Sequence, residues 1–134
     1  PRDNPWTRVV DVEPSAAPFP NWNERIFSEC YRANAYARVI DEAGQIVRIV
    51  NNYRHLSFNM GPTLLSWLEL HHPITYARII AADQEQAALG HGNAMAQAFN
   101  HCILPLCNER DRQKQLRWGM ADFSNRISRR AECM

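Results

Sequence analysis

Apolar and polar residues change rhythm several times along this chain, and each change marks an element. From Pro1 to Pro20, five prolines (Pro1, Pro5, Pro14, Pro18 and Pro20) interrupt any period. This predicts an irregular segment hugging the surface, pinned by Trp6, Phe19 and Trp22. Asn23 is placed to cap a short helix running through Cys30, since its side-chain oxygen can accept a first-turn backbone N–H. Two β-rich runs, Ala35 to Ile40 and Gln45 to Val50, flank Asp41-Glu42-Ala43-Gly44 and predict a β-hairpin.

Leu56, Phe58 and Met60 alternate with Ser57 and Asn59, which puts three apolar side chains on one face of a predicted strand. The strand runs into Gly61-Pro62, and proline suits the first turn of a helix. Leu64, Leu65 and Leu68 then form a helical stripe, completing a strand-turn-helix unit over residues 55–70. Pro73 opens a second helix, with Ile74, Ala77, Ile80 and Ala81 predicted to face inward, and this pattern fades by Gly90. Residues Ala94 to Leu106 fit either a strand or a loop that leads into a helix. A third helix begins at Asn108, with Glu109 and Asp111 near the positive end of its dipole. Its buried face is Leu116, Met120, Phe123 and Ile127, at spacings of four, three and four. Arg110, Arg112, Lys114 and Arg117 read as a solvated face. The order strand, helix, helix, possible strand, helix favours an α/β fold, in which ligands gather where strands end and helices begin. Asn59 and the turn around His91 are therefore positions of interest.

Composition narrows the function. The 134 residues and 46% hydrophobic content suffice for a buried core. Fifteen Lys plus Arg against fourteen Asp plus Glu leave a net charge of +1, so no strong field draws the chain toward nucleic acid or an anionic membrane. The apolar runs, such as Ile103 to Leu106, are far shorter than the roughly 20 residues needed to span a bilayer. The opening Pro1-Arg2-Asp3-Asn4-Pro5 carries no charged-then-apolar leader, although it decides nothing about what precedes it; the expected compartment is the cytoplasm. Cys30, Cys102, Cys107 and Cys133 are too sparse for a disulfide scaffold and are expected to be reduced and partly buried.

Five histidines (His55, His71, His72, His91 and His101) beside four cysteines invite a metal reading. The spacing speaks against it: there is no CxxC, HxxxH or HExxH, so neither a metal nor another cofactor is expected. His101-Cys102 is not a nucleophile signature, and Gly90-His91-Gly92 lacks the third glycine of a dinucleotide loop, where Met95 stands. The polar string His91, Asn93, Gln97, Asn100 and His101 differs in kind. It interrupts an apolar stretch, and partly buried polar groups must find partners in protein, water or ligand. Sugars offer many hydroxyls to such a string, and protein partners would satisfy it equally well.

Two long stretches carry a resemblance. They are Asn51-Asn52-Tyr53-Arg54-His55-Leu56-Ser57-Phe58-Asn59-Met60-Gly61-Pro62-Thr63-Leu64-Leu65-Ser66-Trp67-Leu68 and Gly90-His91-Gly92-Asn93-Ala94-Met95-Ala96-Gln97-Ala98-Phe99-Asn100-His101-Cys102-Ile103-Leu104-Pro105-Leu106. Together with Glu13 to Pro18, Asn34 to Arg38 and Gln115 to Gly119, they resemble the N-terminal part of glycoside hydrolase family 57. The likeness is to a bacterial branch related to α-amylase and amylopullulanase, and it covers nearly the whole chain.

The resemblance implies that residues 1–134 are a fragment of the N-terminal catalytic barrel domain: a partial (β/α)7-barrel fragment with a β-hairpin insertion, acting on α-glucans by a retaining mechanism. It implies that the strand holding Phe58 is a barrel strand and that His101, before Ile103-Leu104-Pro105-Leu106, lies near substrate; His91, Asn93 and Asn59 are further candidate sugar contacts. Two departures matter. The family's His-Gln-Pro region is expected before Pro1, and the nucleophilic glutamate, in a Trp-Leu-Pro-Glu-like stretch, is expected after Met134, with the acid/base aspartate later still. A retaining glycosidase needs two carboxyl groups about 5 Å apart. Glu24, Glu69, Glu109, Asp111 and Glu132 do not match those positions, so no catalytic residue is assigned and the isolated fragment is expected to be inactive. An alternative is a carbohydrate-binding or interaction module that kept the fold without the chemistry. Unclosed strand edges predict self-association.

Overall fold

The structure is a computed structural model and describes residues 10–100 and 102–132. It is mixed helix and sheet, with small sheets and no closed barrel among the described residues. The chain divides into two compact units, Pro1–Asn52 and Tyr53–Met134.

In the first unit a 3-10 turn, Pro14–Ala16, leads into a helix. The prolines leave few donors here, and the segment is tied down individually: the Glu13 backbone N–H donates to Pro20 O at 2.8 Å, and the Trp22 indole N–H donates to Ser15 Oγ at 2.9 Å. The Arg25 guanidinium lies 4.9 Å from the Trp22 ring centroid, a favourable place for a cation. Trp22 thus pins the segment as expected, while Trp6 lies outside the described residues. The cap is Asn21, not Asn23: its Oδ1 accepts from Glu24 N at 3.0 Å. Asn23 lies within the first turn, two residues after the cap, and is buried. Both asparagines carry the capping chemistry, and Asn21 wins because its backbone is extended, as a cap requires. The helix also outlasts Cys30. It begins as α1 (Trp22–Ile26), widens into a π turn over Phe27–Tyr31 and resumes as α2 (Arg32–Ala35).

The predicted hairpin is present, with strands β1 (Ala37–Ile40) and β2 (Ile46–Val50). Asp41 builds the turn, its Oδ1 accepting from Ala43 N at 3.0 Å and Gln45 N at 2.8 Å. Gly44 takes φ of +78°, a conformation open to glycine at little cost. Ala37 pairs with Val50, Arg38 with Ile49 and Val39 with Arg48; a bulge then brings Ile46 opposite Ile40.

In the second unit β3 (Phe58–Asn59) and β4 (Ala94–Met95) pair in parallel. Between them run α3 (Pro62–His71) and α4 (Pro73–Ala87), each opened by its proline. The expected longer strand shrinks to two residues, and of its three apolar residues Phe58 is buried, Met60 half-buried and Leu56 exposed. Only Phe58 and Asn59 have β4 beside them, so the alternation lacks a sheet to line.

α4 presents only part of the face its pattern suggested: Ile80 is buried and Ala81 half-buried, as expected. Thr75, Ile79, Ile80, Ala82 and Asp83 are buried, whereas Ile74 is 78% exposed and Ala77 is exposed as well. Positions 75, 79 and 83 follow a helical period, but two of the three are polar and hide the stripe. Residues 94–100 become β4 followed by irregular chain, and Leu104–Leu106 form a 3-10 turn.

The final helix, α5 (Glu109–Ile127), starts as its sequence predicts. Asn108 Oδ1 accepts from Asp111 N at 2.9 Å, and Asn108 Nδ2 donates to Asp111 Oδ2 at 2.7 Å. Phe123 and Ile127 are buried, with Leu116 and Met120 half-buried along the same face. Arg110 and Arg117 are exposed, and Arg112 pairs with Glu109. Replacing Asn108 by alanine should cost about 1 kcal/mol, the usual worth of an N-cap, read from the midpoint of urea unfolding.

Candidate functional site

The three candidate sugar-contacting residues that the structure describes, Asn59, His91 and Asn93, do not converge on one point. β3 and β4 run parallel, so their C-terminal ends lie side by side. Asn59 stands at that end of β3, exposed and opposite Met95. Asn93 stands at the other end, where the chain enters β4. It is already engaged: its Nδ2 donates to Tyr53 O at 3.0 Å, and its carbonyl accepts from Phe58 N at 3.0 Å. His91 is exposed in the preceding turn. His101 lies outside the described residues. Among the other polar residues of that string, Asn100 donates its backbone N–H to Gln115 Oε1 at 2.8 Å, and Gln97 is half-buried beside Gly61.

The most developed polar constellation was not anticipated from sequence. Asp83, 0% exposed, receives three hydrogen bonds: from Ala94 N at 2.6 Å, from Arg129 Nε at 2.9 Å and from Arg129 Nη2 at 2.8 Å. Arg129 Nη2 also donates to Ala94 O at 2.9 Å, and its guanidinium lies 5.1 Å from the Phe123 ring centroid. Carboxylate and guanidinium together grip both polar backbone atoms of Ala94. The two sides come from α4 and from the turn after α5, which Ser128 makes at φ of +60°. Gly92 belongs to the same assembly, because a Cβ there would collide with Arg129 and Asp83 Oδ1. Burial by itself raises the Asp83 pKa. The Arg129 hydrogen bonds, the Ala94 N–H and the Arg129 charge outweigh burial and hold the carboxyl below its ordinary value. A buried carboxylate so fully occupied is a clamp, unsuited to proton transfer or attack on a substrate.

A second hub ties the three helices together. Arg126 donates from Nε to Asp122 at 3.0 and 3.1 Å, from Nη1 to Glu69 at 2.6 Å and from Nη2 to Ser66 Oγ at 2.7 Å. Its Nη1 also reaches Tyr76 OH at 3.4 Å. Burial disfavours the guanidinium charge, but these acceptors reverse the effect and push its pKa up. Glu69 thus sits in a helix-linking network, Asp111 supports a cap and Glu109 pairs with Arg112.

Cys30, Cys102 and Cys107 are free thiols; Cys30 is exposed, contrary to expectation, and the other two are half-buried. A hydrogen bond with Cys102, followed by desolvation, raises the Cys107 pKa and so disfavours its thiolate. Among the described residues no group of three or more His, Cys, Asp or Glu is placed to hold a metal ion, and no helix is long and apolar enough to cross a membrane.

No protein-family model matches the chain. No curated protein and no solved structure is significantly similar to it.

Proposed function

We propose that this chain is part of the barrel domain of a retaining glycoside hydrolase acting on α-linked glucans. The observation that carries the reading is the pair of residue strings over 51–68 and 90–106, which resemble glycoside hydrolase family 57. Each string contributes one strand of the parallel pair β3–β4, with helices between them, and a parallel pair bridged by helices is the repeating unit of α/β barrels. In such folds substrate meets the C-terminal ends of the strands. That favours Asn59 as a sugar contact over Asn93, whose amide already serves the backbone of Tyr53. His101 completes the proposed set, whereas His91, in the turn before Asn93, stands at the opposite end of the strand pair and is not part of it. The nucleophile and the acid/base belong to chain outside residues 1–134, which shape and contact the glucan.

Two measurements on the polypeptide test the proposal. Titrated with maltoheptaose, it should show weak saturable binding, with backbone NMR shifts centred on Asn59, and Asn59→Ala should weaken it about tenfold, as expected for one lost hydrogen-bonded group. Incubated with soluble starch, it should release no reducing sugar. Absence of glucan binding would remove the proposal's support. So would starch hydrolysis that disappears on replacing one of the chain's own Asp or Glu residues.

A further inference from the structure

One face of the Pro1–Asn52 unit remains unassigned once its core and ion pairs are accounted for. An open groove of about 520 Å³ lies where the helix ends and the hairpin begins, lined by Ser28, Arg32, Ala33, Tyr36, Arg38 and Ile49 among others, with no acidic side chain in its walls. Arg32 and Arg38 are exposed, and neither side chain has a hydrogen-bond acceptor or an acidic partner among the described residues. The nearest acids in sequence are occupied: Glu29 pairs with Arg25 at 3.2 Å, and Asp41 holds the hairpin turn.

The groove continues onto the hairpin. Ile49 is the cross-strand partner of Arg38, and the next pair on that face is Ile40 with Ile46, kept opposite each other by the bulge. All three isoleucines are well exposed, at 52%, 61% and 51%. The surface therefore presents two uncompensated guanidinium groups followed by a strip of β-branched apolar side chains. Contiguous exposed apolar surface beside fixed charge marks an interaction site more often than an idle one.

We propose that this face binds an acidic segment of a partner protein, one carrying carboxylates beside aliphatic side chains. The carboxylates meet Arg32 and Arg38, whose planar forks match carboxylate geometry, and the aliphatic side chains cover Ile49, Ile40 and Ile46. A second copy of this chain fits poorly, because the same face would set arginine against arginine. The inference is independent of the glucan reading, since it rests on different residues.

The test uses the whole polypeptide and fluorescein-labelled peptides in anisotropy titrations. A peptide alternating Glu and Leu should bind saturably and at least about tenfold tighter than one alternating Gln and Leu, and its affinity should fall as salt screens the charges. The Arg32→Gln/Arg38→Gln double variant, shown folded by circular dichroism, should lose about tenfold or more. The Arg32→Glu/Arg38→Glu variant should instead prefer a Lys/Leu peptide. Equal affinity for the Glu and Gln peptides, no saturable binding, or binding unchanged in the folded double variant overturns the proposal. So does self-association abolished by the same substitutions, which would identify a second copy as the occupant. Binding to phosphatidylglycerol vesicles without binding to the peptide would identify a lipid surface and overturn it as well. Should the variants fail to fold, the wild-type comparison decides, with NMR shifts at Ala33, Ala37 and Ile49 expected and shifts confined to residues 53–132 counting against it.

Discussion

An Asp83→Ala variant should lose about 3–5 kcal/mol of stability, because it strands Arg129 beside the backbone of Ala94 without its carboxylate. That is a large part of the 5–15 kcal/mol typical of a whole domain, so unfolding in urea should shift to markedly lower concentration. Arg129→Met should be comparably damaging, since it leaves a buried charge on Asp83. The double replacement Asp83→Leu/Arg129→Met should cost less than either single change added to the other, because no unpaired charge remains. Strictly additive losses would show that the pair is not coupled.

The same clamp fixes an acid limit. The folded pKa of Asp83 lies below an aspartate's ordinary 3.8. The stabilisation is therefore complete above the unfolded-state value and is lost as pH falls through the folded one. Stability should drop on acidification below about pH 4, and the drop should be shallower in Asp83→Asn. Thermal melts across that range provide the check.

Leu68→Ala should be the most costly apolar truncation, at about 2–5 kcal/mol. Leu68 is 0% exposed on α3, in the helical group where α3, α4 and α5 touch one another pairwise. The truncation removes three carbons from a site whose walls are helices anchored by Arg126, which limits collapse into the void. Ile74→Ala on α4 is the matched control and should change stability by no more than about 0.5 kcal/mol. If Ile74→Ala cost as much as Leu68→Ala, the face assigned to α4 would be wrong.

Three of the helix starts were legible from local signals, whereas at the first Asn21 and Asn23 carry the same capping chemistry and the sequence does not choose between them. Pro62 and Pro73 preset the first helical turn, Asn108 supplies its own cap acceptor, and Asp41 with Gly44 encodes the hairpin turn within five residues. What stayed hidden depends on distant partners. The inward face of α4 could not be found by counting apolar residues, because Asp83 is buried there only by virtue of Arg129, 46 positions away. β3 is short because its partner β4 is, and nothing between Leu56 and Met60 reports that. Asn59 is marked by its place between a strand and a helix and Asn93 by its place in a polar run, and neither signal says that the two stand at opposite ends of the strand pair.

The clamp holds only the main chain of Ala94, its N–H and its carbonyl, and never its methyl group. Position 94 is therefore free to drift among small residues across natural variants, constrained by room alone. Positions 83 and 129 are bound to each other by charge and shape, so when one is exchanged in evolution the other must follow, and Gly92 can be relieved only where that pair has been lost.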